Sequence, residues 1–192
     1  MTFDAVVLAG GEGRRLGGRD KAELVVSRGR LLDVVLEACV DAGHTIVVGP
    51  TRPTESEVTW VREDPPGGGP CAALAAALPL VTQPTCVLLA VDLPHLDAAF
   101  VARLAAAAPV VAVDDSGREQ WLLSAWPTDA LRDVPATGSL GRALGALRYA
   151  TLPAGDTAHD VDTEEDLRHA AAEPAPCAAD ETSTTPSTTR TG

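Results

Sequence analysis

Asp4-Ala5-Val6-Val7-Leu8-Ala9-Gly10-Gly11-Glu12-Gly13-Arg14-Arg15-Leu16-Gly17-Gly18-Arg19-Asp20-Lys21 is the stretch whose reading decides the fold. A short apolar run without alternation predicts a strand buried on both faces of a parallel sheet. It breaks into glycines before helical periodicity begins. In an open parallel sheet, ligands lie beyond the carboxyl ends of the strands, where this loop must fall. Glycines let backbone N–H groups approach phosphate oxygens and tolerate the positive φ of a curved anion nest. The arginines and Lys21 add charge, so the segment predicts an α/β protein that binds a nucleoside triphosphate at its first strand–helix turn.

Working outward, short runs rich in Val, Ile and Leu alternate with helix-length segments. Strands are predicted at 4–8, 45–49, 58–62, 86–91, 109–113 and 120–126, and helices at 31–42, 70–79, 97–107, 139–147 and 163–172. The alternation in Val58-Thr59-Trp60-Val61-Arg62 also suits an edge strand. With 192 residues and 45% apolar content, one core is expected rather than two. Aromatic residues make up only 3%, so Ala, Val and Leu must build that core. Residues 1–172 form the predicted catalytic domain. Residues 173–192, rich in Pro, Ala, Ser and Thr, have too little to bury and are expected to be disordered.

A net charge of −12 argues against binding nucleic acid or an anionic membrane, both of which need excess Lys and Arg. Residues 11–30 are a local exception: Arg14, Arg15, Arg19, Lys21, Arg28 and Arg30 face Glu12, Asp20 and Glu23, a balance of +3. Cys39, Cys71, Cys86 and Cys177 have no C-x-x-C spacing and read as reduced thiols. The N-terminus enters Phe3-Asp4-Ala5 with no basic segment, long apolar run or cleavage site, as expected of a cytoplasmic protein. His44, His95, His159 and His169 lack the spacing of a metal pair. Trp121 and Trp126 read as packing residues.

Two familiar phosphate loops fail against these residues. A Walker A loop needs Ser or Thr after its Lys, but Ala22 follows Lys21; a dinucleotide fingerprint starting at Gly11 needs a glycine where Leu16 stands. Leu8-Ala9-Gly10-Gly11-Glu12-Gly13-Arg14-Arg15-Leu16-Gly17-Gly18-Arg19-Asp20-Lys21 instead resembles the L-A-G-G-x-G-x-R-[ML]-G-x-x-K signature of nucleotidyltransferases with a Rossmann-like fold. Gly17-Gly18 followed by Asp20-Lys21-Ala22 is similar to molybdenum cofactor guanylyltransferases. The resemblance implies a three-layer fold with a mostly parallel central sheet. It makes Leu8, Ala9, Gly10, Gly11 and Gly13 nucleotide-binding residues, puts Lys21 on the α- or β-phosphate, and puts Arg15 on the leaving pyrophosphate.

Three carboxylate motifs extend it. Glu63-Asp64-Pro65-Pro66-Gly67-Gly68-Gly69-Pro70 resembles the family's E-D and P-G-x-G-P arrangement and makes Asp64 a nucleotide contact. Asp92-Leu93-Pro94 ends an apolar strand, where a hard oxygen ligand can hold Mg²⁺ against a triphosphate; the family's D-x-P supplies its metal ligand, so Asp92 takes that role and also binds nucleotide. Asp160-Val161-Asp162-Thr163 resembles D-[IV]-D-T, whose second acid can reach the metal, which nominates Asp162. Thr163 and Asp166 have the spacing of a helix capping box.

The activity so implied is Mg²⁺-assisted transfer of GMP from GTP to the terminal phosphate of molybdopterin, releasing pyrophosphate. It involves neither nucleic acid nor membrane, and leaves room for transient contact with other proteins of cofactor biosynthesis. The chain departs from the pattern in three places. Gly49-Pro50 stands where many members have Asn, Pro70-Cys71-Ala72-Ala73 replaces P-L-A-G, and Asp160 and Asp162 replace asparagines. These changes bear on guanine specificity, so a molybdopterin cytidylyltransferase stays open. So do a sugar-1-phosphate nucleotidyltransferase, a non-catalytic nucleotide sensor and an assembly scaffold.

Overall fold

In the first strand, β1 (Phe3–Leu8), every residue is buried, and its side chains alternate between two apolar layers. Phe3, Ala5 and Val7 enter one layer, and Val6 and Leu8 the other. The computed structural model describes residues 2–10 and 16–172. The expectations for residues 11–15 and 173–192, including Cys177, lie outside the described residues.

The remaining strands of the main sheet are β4 (Thr45–Val48), β5 (Thr59–Val61), β6 (Thr85–Ala90), β7 (Val110–Val113), β8 (Glu119–Pro127) and β9 (Ala150–Pro153). They run in the order β5-β4-β1-β6-β8-β7-β9. A separate two-stranded hairpin joins β2 (Val25–Val26) to β3 (Gly29–Arg30). β1 pairs in parallel with β4 and β6, and β5, placed as an edge, pairs in parallel with β4. Helices α1 (Leu31–Ala38) and α3 (Ala98–Ala107) cover one face; α2 (Pro70–Ala77), α4 (Thr128–Arg132) and α5 (Leu140–Leu144) cover the other. The result is a three-layer α/β fold. Burying each Val or Leu between sheet and helix contributes roughly 1.5–3 kcal/mol.

Four features differ from the sequence reading, and one is α4, whose five residues are too few to show a helical period between the helices expected at 97–107 and 139–147. β8 is antiparallel to both β6 and β7, because Asp114–Arg118 is too short for a crossover. Asp114 closes that turn, accepting from the Ser116 hydroxyl at 2.7 Å and from the amides of Ser116 and Arg118 at 2.9 Å each. β9 lacks an apolar signature because its residues stay largely exposed, and the hairpin strands have only two residues each. Helix α5 packs on Trp121, which a glycine permits: a Cβ at Gly141 would meet the indole Nε1 at 2.7 Å. Trp126 is fully buried and donates to Ser124 Oγ at 2.9 Å.

A third apolar cluster matters for the site. Leu16, Leu24, Val26, Leu31 and Val34 pack with Val161 and Ala170, so α6 (Glu164–Ala172), the last helix among the described residues, lies against the segment that carries Lys21. Cys39, Cys71 and Cys86 are free and buried; burial pushes the Cys39 thiol up to about 12 and raises the other two, keeping them protonated. Among the described residues no helix is long and apolar enough to cross a membrane.

Candidate active site

The helices after β1 and β5 lie on opposite faces of the sheet, so the topology switches between β1 and β6 and opens a crevice at their carboxyl ends. Leu8 and Ala9 are buried and Gly10 is exposed at its wall. The Ala9 amide donates to the Val48 carbonyl at 2.8 Å, and the Val91 amide to Leu8 at 3.2 Å, so both neighbouring strands hold the loop's start. Gly49 passes so close that a Cβ would stand 2.9 Å from the Ala9 carbonyl oxygen, and its φ of +151° further favours glycine. Glycine at position 49 therefore has a local steric reason.

Across the crevice, β6 delivers Asp92. The Asp92 carbonyl accepts from the Val161 amide at 3.0 Å, which draws the Asp160–Asp162 segment alongside. The capping box forms as read: Asp166 N–H donates to Thr163 Oγ1 at 3.2 Å and Thr163 N–H to Asp166 Oδ2 at 2.8 Å. Asp166 Oδ2 also accepts from the Asp162 amide at 3.1 Å, fixing the start of α6 and the acid just before it. Asp92, Asp160 and Asp162 each offer a carboxylate oxygen within 4.8 Å of the others.

Lys21 enters this group from a 3-10 turn, Lys21–Glu23, capped by Asp20. Its ammonium donates to Asp92 Oδ2 at 2.6 Å and to Asp162 Oδ1 at 2.5 Å. Burial alone would lower the Lys21 pKa, but the Asp92 charge and the bonds to Asp162 and Asp92 outweigh it, and the net direction is upward. Asp160 shifts upward too, through lost hydration first and then the charges of Asp92 and Asp162.

An acid raised in the folded state is a liability once ionised and harmless below its unfolded value. Asp160→Asn should therefore raise the melting temperature of the metal-free protein slightly at neutral pH. A fall would mean that attraction to Lys21 outweighs repulsion from the other two acids.

Three carboxylates with one ammonium leave an excess of two negative charges. An all-oxygen donor set suits a hard divalent cation such as Mg²⁺ and not a soft metal. The residues present thus fit Mg²⁺, with Asp160 added to the two ligands named from sequence. The motif D-[IV]-D-T nominates only its second acid, so the sequence pointed to Asp162 and passed over Asp160.

The structure brings Lys21, Asp92 and Asp162 together and sets Leu8, Ala9 and Gly10 at the same sheet edge. Asp64 is exposed after β5, two strands from β1, and does not join the acid cluster. Gly11, Gly13 and Arg15 lie outside the described residues. The basic patch read from residues 11–30 is, where described, largely committed within the protein. Arg19 pairs with Glu164, Arg28 donates to the Leu96 carbonyl at 2.7 Å, and Arg30 pairs with Asp33 at 2.8 Å and Glu23 at 3.0 Å. Beside the acids opens a cleft of about 650 Å³ lined by Pro94, His95, Arg118, Asp160, Val161 and Asp166, among others.

Residues 5–154 match the MobA-like NTP transferase domain. A molybdenum cofactor guanylyltransferase from Rhodobacter capsulatus is 33% identical over 86% of this chain and 88% of its own length, and one from Acidiphilium cryptum is 33% identical over 85% and 91%. A probable molybdenum cofactor guanylyltransferase from Synechococcus elongatus is 36% identical, over only 50% of this chain and 53% of that protein. Among solved structures, the Archaeoglobus fulgidus molybdopterin-guanine dinucleotide biosynthesis protein A superposes with a TM-score of 0.60 at 22% identity, covering 88% of this chain and 96% of that one. The 2-C-methyl-D-erythritol 4-phosphate cytidylyltransferase of Thermus thermophilus gives 0.68 at 23%, covering 90% and 98%. These two likenesses concern the fold.

Proposed function

The chain belongs to the MobA-like NTP transferase family, and on that premise we propose that it transfers GMP from GTP to the terminal phosphate of molybdenum-molybdopterin. The observation that carries this reading is the meeting of Lys21 with Asp92, Asp160 and Asp162 at the crevice between β1 and β6.

An oxygen of the acceptor phosphate forms a bond to the α-phosphorus of GTP; the bond from that phosphorus to the bridging oxygen of the β-phosphate breaks, and pyrophosphate leaves with the electron pair. Attacker, target and leaving group are all anionic, so positioning and charge neutralisation do most of the catalysis. In this reading Leu8, Ala9, Gly10, Gly11 and Gly13 line the triphosphate, Lys21 contacts the α- or β-phosphate, and Arg15 holds the departing pyrophosphate with its planar fork. Asp92 and Asp162, with Asp160, would hold Mg²⁺, which would supply charge neutralisation on the triphosphate. Asp64 contacts the nucleotide from the β5 side, and the cleft along Asp160 and Arg118 receives the acceptor. No protein nucleophile is required. A cytoplasmic setting is part of the same reading.

The test is a panel of GTP, CTP, ATP and UTP with molybdopterin as acceptor, read by pyrophosphate release and the mass of the dinucleotide product. Turnover with GTP above the others is expected. A preference for CTP would replace guanylyl by cytidylyl transfer, in keeping with Asp160-Val161-Asp162-Thr163. Nucleotide binding without pyrophosphate release from any of the four would leave a sensor.

A further inference from the structure

Arg52, in the loop after β4, is a buried cation that none of the motifs includes. Its side chain is only 8% exposed, and a buried guanidinium is costly unless its donors are met. Here they are met by Asp20 and Ala9, both distant in sequence, and by Pro50 close by. Nε and Nη2 form a fork onto Asp20, at 2.8 Å to Oδ2 and 2.8 Å to Oδ1. Nη2 also reaches the Ala9 carbonyl at 3.2 Å, and Nη1 donates to the Pro50 carbonyl at 2.8 Å. Ala9 and Asp20 stand at the two ends of the glycine-rich segment, so one planar group gathers both.

Asp20 is already engaged on its other side. Its Oδ1 accepts from the Ala22 amide at 3.1 Å, capping the 3-10 turn that begins with Lys21. The carboxylate that fixes the turn is thus itself fixed by Arg52, one residue before the ammonium that meets Asp92 and Asp162. Arg52 is seated in its turn. Gly49 lies against Ala9 and Gly10 with no room for a Cβ, and Arg30 donates to the neighbouring Pro53 carbonyl at 2.6 Å while pairing with Glu23 of the same turn. A single point charge could balance Asp20, but only a planar fork with further N–H groups can hold the carboxylate in one orientation and bond Ala9 and Pro50 together.

We propose that Arg52 is a positioning residue of this enzyme: through Asp20 it sets the place of Lys21, and through Ala9 it sets the start of the nucleotide-binding segment against it. The assignment rests on the nucleotidyl-transfer reading above. Displacing a contact group by about 1 Å can cost about a hundredfold in rate, whereas a purely structural ion pair would alter stability and leave the turnover of folded protein unchanged.

Arg52→Lys keeps the charge and loses the fork, and Asp20→Asn keeps the shape and weakens the acceptor. Both are measured on full-length protein for kcat, for KM of GTP and acceptor separately, and for hydrogen exchange of residues 16–24. Either variant should lose about ten- to a hundredfold in kcat/KM for GTP, with KM for the acceptor unchanged. Exchange at residues 20–24 should quicken while β1 and β6 stay protected. Adding Lys21→Ala to Arg52→Lys should cost far less than Lys21→Ala costs alone, because the lysine is already misplaced. For Arg52→Ala, guanidinium at non-denaturing millimolar concentration should restore part of kcat.

Wild-type kcat and KM for GTP in folded Arg52→Lys, or full additivity with Lys21→Ala, would overturn the assignment and leave the transferase reading standing. Failure of the wild-type protein to turn over any nucleotide would overturn the transferase reading. Unchanged exchange at residues 20–24 would then remove the positioning role as well.

Discussion

Replacing Lys21 by alanine is expected to slow nucleotidyl transfer by roughly a hundredfold or more, the loss of about 2.7–4 kcal/mol that follows removal of a preorganised transition-state contact. The structure adds a consequence for stability. The ammonium stands between Asp92 and Asp162, with Asp160 within the same 4.8 Å group, so its loss leaves three carboxylates facing one another. Breaking a fully buried pair costs more, and a surface pair almost nothing. With the side chains 16–37% exposed, about 1–2 kcal/mol is expected, seen as a melting temperature lower by a few degrees.

A divalent cation should restore most of that stability to Lys21→Ala while restoring little of its rate, because Mg²⁺ replaces the charge and not the phosphate contact. The Lys21 pKa is raised above its ordinary 10.5. The stabilisation it supplies is therefore complete below that value and lost as pH rises through the folded one, a loss the alanine variant should lack. A variant that turns over as fast as wild type would remove Lys21 from the mechanism.

The second large effect concerns Asp92. Asp92→Asn preserves shape and can still accept from Lys21, yet it removes a charge at the centre of the donor set. The variant is expected to fold normally and to bind nucleotide through the glycine-rich segment. It should lose about a hundredfold in rate at limiting Mg²⁺ and recover in part at high Mg²⁺. Direct titration of the nucleotide-free protein with Mn²⁺ checks the same point without turnover, and the affinity should fall. Unchanged activity together with unchanged metal affinity would move the metal to Asp160 and Asp162.

Much of the architecture was legible because the signals are local. An unbroken apolar run ending in glycines is a buried strand entering a phosphate loop whatever else the chain does, and β1, β4 and β6 follow from such runs. The capping box of Thr163 and Asp166 depends on residues three apart, so sequence spacing was enough to name it. The reversal of β8 was written in the shortness of Asp114–Arg118, but alternating apolar runs outweighed it. β9 and the β2–β3 hairpin carry too few buried residues to register.

The candidate site divides along the same line. The amino-acid sequence by itself determined which groups can do the chemistry: a glycine-rich stretch, a lysine and single acids at strand ends, each recognisable from its neighbours. Only the tertiary structure decided how they are combined. Val161 bonding the Asp92 carbonyl turns two distant acids and Asp160 into one oxygen donor set. The folded chain also commits Arg19, Arg28 and Arg30 to internal partners, removing much of the apparent basic patch. It recruits Arg52, 32 residues from Asp20, to hold the base of the lysine turn. A guanidinium's partners are whichever carboxylate and carbonyls the fold places within 3 Å or so of its fork, and no spacing along the chain encodes that meeting.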